Sequence, residues 1–468
     1  MTYDKLKLPT AIIAALLPLS GAMAENYDGQ DLTGQTLNTT STMDGWSFVG
    51  TNLTNVTFTP PNSLTLRISN VDFSNADFTG TTFTNVRFEE GNNFSGSNIT
   101  YEQFNQGIST NNTAWNNVNF SNMDLAGWRL GVASYDINNP GKGMTNNYTN
   151  LKIADSKINN ATLYYSTTYS VAFKKAITST KSWKDKDLSG VRIAGLGTIR
   201  NYDFTGFNLQ NASFHSHNGA YSFTCDNFNY TGADMRGISF TSLSVTTSNT
   251  NAIYKNTIQA TGSVRSLDLT SSGDLLHVRE YRNKDGIAEN LAAYIGTSKT
   301  WNVGGGAEIL IDMGRLNLTG GSGSTLNFQG SNSEKATLAF MYDTAEYKEF
   351  AQQGINVGIG LNSSSRLSFL SDYEIVVELT GSVEAGDNFM LIDGETAGAI
   401  AVADAFTKGE NIKVKLNGSE LNTDDWDFVF SNGDLSVTML TAVPEPAVYA
   451  AIAGALSLAL AAARKRKF

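Results

Sequence analysis

Cysteine is almost absent from this chain: Cys225 is the only one in 468 residues. No intramolecular disulfide is therefore possible. Its neighbours Phe223, Thr224, Asp226 and Phe228 bring no cation to lower the thiol pKa, so an inert, buried thiol is expected. Histidine occurs three times and proline seven times, and charged residues make up only 16%. Asn, Thr, Ser and Gly must then cover most of the surface, a mix that suits strands and turns better than long amphipathic helices. Regularly spaced Phe and Leu, described below, argue against disorder, because a disordered segment lacks apolar residues to bury.

Catalytic patterns are missing as well. There is no phosphate-cradling glycine loop with a lysine, no Gly-x-Ser-x-Gly and no Cys/His nucleophile pair. His215-Ser-His217 places two imidazoles on one face of a strand, a spacing able to hold zinc, but no Cys or acid cluster supplies a third ligand. His277 lies in an ordinary strand pattern. Asp424-Asp-Trp-Asp427 and Asn283-Lys-Asp-Gly286 lack the acid spacing and distal Glu of a helix-loop-helix calcium site and read as solvated turns. Acids are plentiful, yet no sequence-local pair suggests glycoside hydrolysis. The expectation is no catalytic residue, no metal, no cofactor and no enzyme activity.

The N-terminus carries a secretory signal. Lys5 and Lys7 form a basic start, and Ala11-Ile-Ile-Ala-Ala-Leu-Leu-Pro-Leu19 is an apolar run too short to span a bilayer. Ala22-Met23-Ala24 is a small-x-small site, so signal peptidase is expected to cut before Glu25. At the other end, Val443-Pro444-Glu445-Pro446 precedes an apolar run over 447–463, closed by Arg464-Lys465-Arg466-Lys467. That run reads as a marginal membrane helix in the precursor, stopped on the cytoplasmic side by its basic cluster. The prolines make a stiff, extended stretch that cannot join the helix.

These C-terminal residues resemble the PEP-CTERM sorting signal of Gram-negative bacteria. The resemblance implies an exosortase-type membrane protease-transpeptidase as partner, removal of the tail, and transport to the cell surface or extracellular matrix. The whole chain carries a net charge of −11; setting aside Asp4, Lys5, Lys7, Glu445 and Arg464 to Lys467 leaves 27 basic and 42 acidic residues, a balance of −15. Such a surface repels nucleic acid and anionic headgroups.

Between the signals runs a five-residue repeat. A large apolar residue recurs at Phe48, Leu53, Phe58, Ile68, Phe73, Phe78, Phe83 and Phe88, and only Ser63 breaks the series. Neither a helix nor a strand has that period. Two residues earlier stand Val56, Val71, Ala76, Thr81 and Val86, with Asp or Asn commonly between, as in Val71-Asp-Phe73-Ser-Asn. The spacing fits one side of a square coil per unit, with the central residue inward and polar residues turning the chain. The series resumes at Phe120, Leu125 and Leu130, then Ile153, Ile158 and Leu163, then Leu188, Ile193, Phe204, Leu209 and Phe214. It fades through Phe223, Phe228, Met235 and Phe240, with an earlier trace at Leu32 and Leu37.

These units resemble the pentapeptide-repeat family, which implies a right-handed quadrilateral β-helix. Two interruptions repeat at a distance of 68 residues, Tyr101 and Trp115 recurring as Tyr169 and Trp183. They resemble inserts between repeat blocks of exported members, with the tryptophans expected in core packing or, alternatively, stacking on carbohydrate. Thr100 and Gln103 fit a capping box, so a short helix is expected there.

From about 246 the period is lost, but alternating strands continue, as in Leu316-Asn-Leu318 and Tyr373-Glu-Ile-Val-Val-Glu-Leu379. Short helices are expected over 288–295 and 344–353. Gly386 to Gly394 resembles late strands of autotransporter-like β-solenoids. The expected fold is all-β: signal peptide 1–24, pentapeptide-repeat solenoid 25–245, a β-rich solenoid or sandwich over 246–440 and a sorting signal over 441–468. The expected function is an exported structural or adhesive surface protein, with exopolysaccharide or other surface proteins as partners. Two alternatives belong to other classes: a secreted carbohydrate-binding or carbohydrate-active β-helix, and an acidic nucleic-acid mimic of the kind some pentapeptide-repeat proteins resemble.

Overall fold

A computed structural model describes residues 24–38, 41–61, 64–106, 117–130, 152–164, 186–195, 197–216, 223–240, 248–296, 299–319, 323–331, 333–396, 399–403 and 405–442. These form two compact units: one holds described residues 24–125 and 152–156, the other 126–130, 157–164 and 186–442. Both are β-rich, and most strand pairs are parallel.

In the first unit each five-residue step is a short extended piece followed by a turn. Most partners lie 20–26 residues apart: Leu66 pairs with Val86, Asn52 bridges Asp77 and Asn93 bridges Asn119, while Asn119 bridges Lys152, 33 residues on. Phe48, Leu53, Phe58, Ile68, Phe73, Phe78, Phe83 and Phe88 are all buried. Alignment of equivalent positions stacks their rings nearly parallel, Tyr27 on Phe48 at 5.1 Å, Phe48 on Phe73 at 5.2 Å, Phe73 on Phe94 at 5.3 Å and Phe94 on Phe120 at 5.7 Å.

The polar residues have definite work. Asp72, Asp77, Asn52, Asn93 and Asn119 each accept a hydrogen bond from the backbone N–H two residues on, fixing an Asx turn. The turns close through left-handed residues, Asn55, Asn75 and Gly80 among them, because Asn and Gly tolerate positive φ. At Gly80 the site is also crowded: an added Cβ would lie 2.2 Å from Asn55 Oδ1.

Two departures from strict period five occur here. An extra residue in the stretch after Phe88 moves the next ladder position to Phe94, which bonds Asn119 across the following coil. Then α1 (Tyr101–Gln106) replaces a strand. Its capping box is present, with Thr100 N–H donating to Gln103 Oε1 at 2.9 Å and Gln103 N–H donating to Thr100 Oγ1 at 3.2 Å. The helix returns Phe104 to the interior, stacked on Phe88 at 5.2 Å.

The second unit carries a ladder of the same kind. Ile158, Leu188, Ile193, Phe204, Leu209 and Phe214 are buried, as Phe120, Leu125 and Ile153 are in the first unit. The strands Arg129–Leu130 and Thr162–Tyr164 pair with Leu130 opposite Leu163. The spacing through Phe223 and Phe228 needs correction. Register aligns Ile199 with Cys225 and brackets Phe204 against Tyr230, so Cys225, Tyr230, Met235 and Phe240 hold the ladder positions. Phe228 lies instead in the row two residues before, beside Tyr202.

Beyond 270, successive strands fall in rotation onto three sheets. One runs Leu275–Arg279, Glu308–Asp312, Ala336–Asp343, Tyr373–Thr380 and Ile412–Leu416, all parallel. The others begin at Ala293–Ile295 and Thr300–Val303. Alternate residues point into one apolar core, as the pattern of Tyr373–Thr380 shows. Trp426–Ser431 pairs antiparallel with Asp434–Met439 and is the last strand of the sheet that begins at Ala293–Ile295.

The helix expected over 288–295 does not form. Ala293 and Ile295 face inward and Tyr294 outward, a period of two that packs against Leu316 and Leu318 and overrides the helix preference of Ala and Leu. The second expected helix is α2 (Thr344–Gln353), capped by Asp343 and ended by left-handed Gly354. Among the described residues no helix is long and apolar enough to cross a membrane; the run over 447–463 lies outside them.

A polar cleft in the second unit

On the repeat wall, Asp234 occupies an Asx-turn position and accepts from Arg236 N–H at 3.2 Å. At Asn52, Asp72, Asp77, Asn93, Asp203 and Asn208 the same position is exposed or half-buried. Here the segment 279–291 covers it, and the side chains of Asp234 and Arg236 are 0% and 1% exposed. Arg236 forks onto the Asp234 carboxylate, with Nη2 at 2.6 Å from Oδ2, and also donates to the carbonyls of Leu291 and Arg279 at 2.6 Å each. Gln210 Nε2 bridges Asp234 Oδ2 at 3.0 Å and Glu280 O at 2.6 Å. Asn211 donates to Arg282 O at 2.5 Å and accepts from Tyr281 Oη at 3.0 Å. The segment is thus locked to the repeats by satisfied buried polar groups.

Beside this clamp opens a cleft of about 400 Å³. Asn159, Asn160, Asp187, Asn208 and Gln210 line it from the repeats; Arg279, Glu280, Arg282, Lys284, Asp312 and Glu346 line it from the other side. Arg282 holds two carboxylates at once, Glu280 and Glu346. Arg279 Nη2 donates to Gly206 O at 3.0 Å. Burial pulls its pKa down, opposed by the charges of Asp234, Asp312 and Asp187. Asp312 Oδ2 is 3.0 Å from His277 Nε2.

Burial, and next the Glu280 carboxylate, push the Glu346 carboxyl up to about 7 against the pull of Arg282. A raised carboxyl pKa means that the folded state binds the proton more tightly. The resulting stability is full below the ordinary value of 4.5 and is lost as pH rises towards 7. Glu346→Gln is expected to flatten that decline. Melting temperatures at pH 5 and pH 7.5 test it: the parent should lose more than the variant, by a small margin because the group is partly exposed.

Sequence reading located none of this cleft except the turn Asn283–Gly286. That turn closes on itself, with Asn283 Oδ1 accepting from Asp285 N–H at 2.9 Å and Ile287 N–H at 3.1 Å. Among the described residues no group of three His, Cys, Asp or Glu is placed to hold a metal. His215 lies on the strand Ser213–Ser216, and His217 falls outside the described residues. Cys225 is buried, and burial pushes its thiol up to about 12. Ala24 and Glu25 are described, whereas Ala22, Val443 to Pro446, Arg464 to Lys467, Trp115 and Trp183 are not.

No family model matches the chain, and no curated relative matches it. Among solved structures it is similar to HetL, a pentapeptide repeat protein involved in heterocyst differentiation regulation from the cyanobacterium Nostoc sp. strain PCC 7120. The identity is 14%, over 51% of this chain and 91% of that one, with a TM-score of 0.16. The likeness is to a repeat protein. The repeats are carried by the register and burial of the ladder.

Proposed function

We propose that this chain is an exported structural or adhesive protein of a Gram-negative cell surface or extracellular matrix, and not an enzyme. Signal peptidase releases Glu25 as the first residue. An exosortase-type protease then acts at Val443-Pro444-Glu445-Pro446, the segment over 447–463 having parked the precursor in the membrane against Arg464 to Lys467. The repeats wind as a right-handed, four-sided coil; the 20-residue offset between Leu66 and Val86 equals four units of five.

One observation carries this reading. In the described ladder Glu25 O accepts from Ser47 N–H at 2.8 Å, and Thr441 Oγ1 donates to Asp425 Oδ1 at 2.9 Å. Both bonds lie between the two signals read in the sequence. A double substitution, Pro444→Ala with Glu445→Ala, tests the sorting step. It leaves the apolar run intact, so membrane insertion persists. The variant should accumulate uncleaved in the inner membrane and vanish from the surface; normal sorting of the variant would reduce the tail to a plain anchor.

A further inference from the structure

We propose that the polar cleft of the second unit binds a polyhydroxylated ligand, a segment of an oligosaccharide. Its volume, about 400 Å³, falls in the range of small-molecule pockets, about 300–1,000 Å³. Its lining is almost wholly amide, carboxylate and guanidinium, with Met313 the one apolar side chain of size. An apolar ligand would leave those groups desolvated and unpaired.

Hydrogen-bond bookkeeping narrows the class. Among the described residues few buried side-chain polar atoms lack a partner, and two of them belong to residues lining this cleft: Asn159 Oδ1 and Arg279 Nη1. One is an acceptor and the other a donor. A hydroxyl group serves both, donating to the amide oxygen and accepting from the guanidinium. A metal ion would meet the Arg279 charge, and a phosphate would meet Asp187, Asp312 and Glu280. The clustered charges also offset one another, since Arg282 is shared by Glu280 and Glu346. A mixed lining of that kind suits vicinal hydroxyls, which pair with carboxylates and amides without carrying charge. Both orphan atoms are buried within the wall, so binding requires each side chain to turn toward the cleft as the ligand seats.

This inference stands apart from the export reading, because binding is measured on purified protein and sorting in cells. The full chain, kept soluble in detergent, would be applied to an array of neutral and uronic-acid oligosaccharides. The strongest hit would then be titrated calorimetrically. Binding is expected, and Asn159→Ala should weaken it at least tenfold. Asn159 Oδ1 makes no hydrogen bond with the described residues, so the variant should melt with the parent. Arg279→Gln gives a second reading of the same site, and Lys335→Ala, absent from the lining, should bind as the parent does. A folded chain that binds no glycan on the array, or a hit that the parent and Asn159→Ala bind equally, would overturn the proposal.

Discussion

Arg236→Ala is expected to destabilise the second unit by about 3–5 kcal/mol, the cost of stripping one partner from a buried ion pair. Asp234 would keep Gln210 Nε2 at 3.0 Å but lose its guanidinium fork, while its side chain is fully buried. The carbonyls of Leu291 and Arg279 would lose their donor in the same step. The segment 279–291 should then loosen from the repeats. A denaturant melt of the variant measures the loss. Replacing both partners by apolar residues of similar volume, Asp234→Leu with Arg236→Met, should recover a large part of it, since no unpaired charge remains. A single variant melting within about 1 kcal/mol of the parent would mean that the pair is wet in solution.

The second large effect lies in the first unit. Phe73→Ala should cost about 3–5 kcal/mol, the usual range for truncating a core aromatic. Phe73 is fully buried between Phe48 and Phe94, at 5.2 and 5.3 Å with planes tilted by 11°. Collapse into the gap is resisted by the backbone, because Phe48 N–H bonds Asp72 O and Phe73 N–H bonds Asn93 O, each at 2.7 Å. Coil spacing is thereby fixed from outside the core. Urea unfolding followed by near-ultraviolet dichroism reports both the stability and the loss of the ring stack. A cost below about 1 kcal/mol would show that the rings do not share one core.

These two sites differ in how far the sequence announces them. Phe73 belongs to a series whose period no helix or strand produces, so its inward direction follows from spacing alone. The Asp or Asn before each ladder residue is equally legible, because its turn bond is local. A long-range pairing decides what stays hidden. The added residue in the stretch before Phe94 shifts the phase without leaving a mark, as any five-residue count simply stops there. Tyr230 holds a ladder position because of its bracketing with the coil through Phe204, whereas the more apolar Phe228 attracts the eye. Ala288 to Ile295 contains good helix formers, yet the neighbouring strand Arg315–Leu318 imposes extended backbone. The cleft draws on residues from Asn159 to Glu346, each ordinary in its own surroundings, and only the fold makes them neighbours.

The same distinction applies to Arg236. In sequence it is one polar residue in a fading repeat; its burial depends on a segment some fifty residues later. Asx-turn chemistry places Asp234 correctly but gives no hint that it is covered.

In the proposed function, two trimming events deliver the protein to the cell surface. Intact mass spectrometry of the protein recovered from washed cell surfaces or extracellular matrix tests it most directly. The expected chain begins at Glu25 and ends near Pro446. A surface protein whose mass corresponds to Met1 through Phe468 would contradict it.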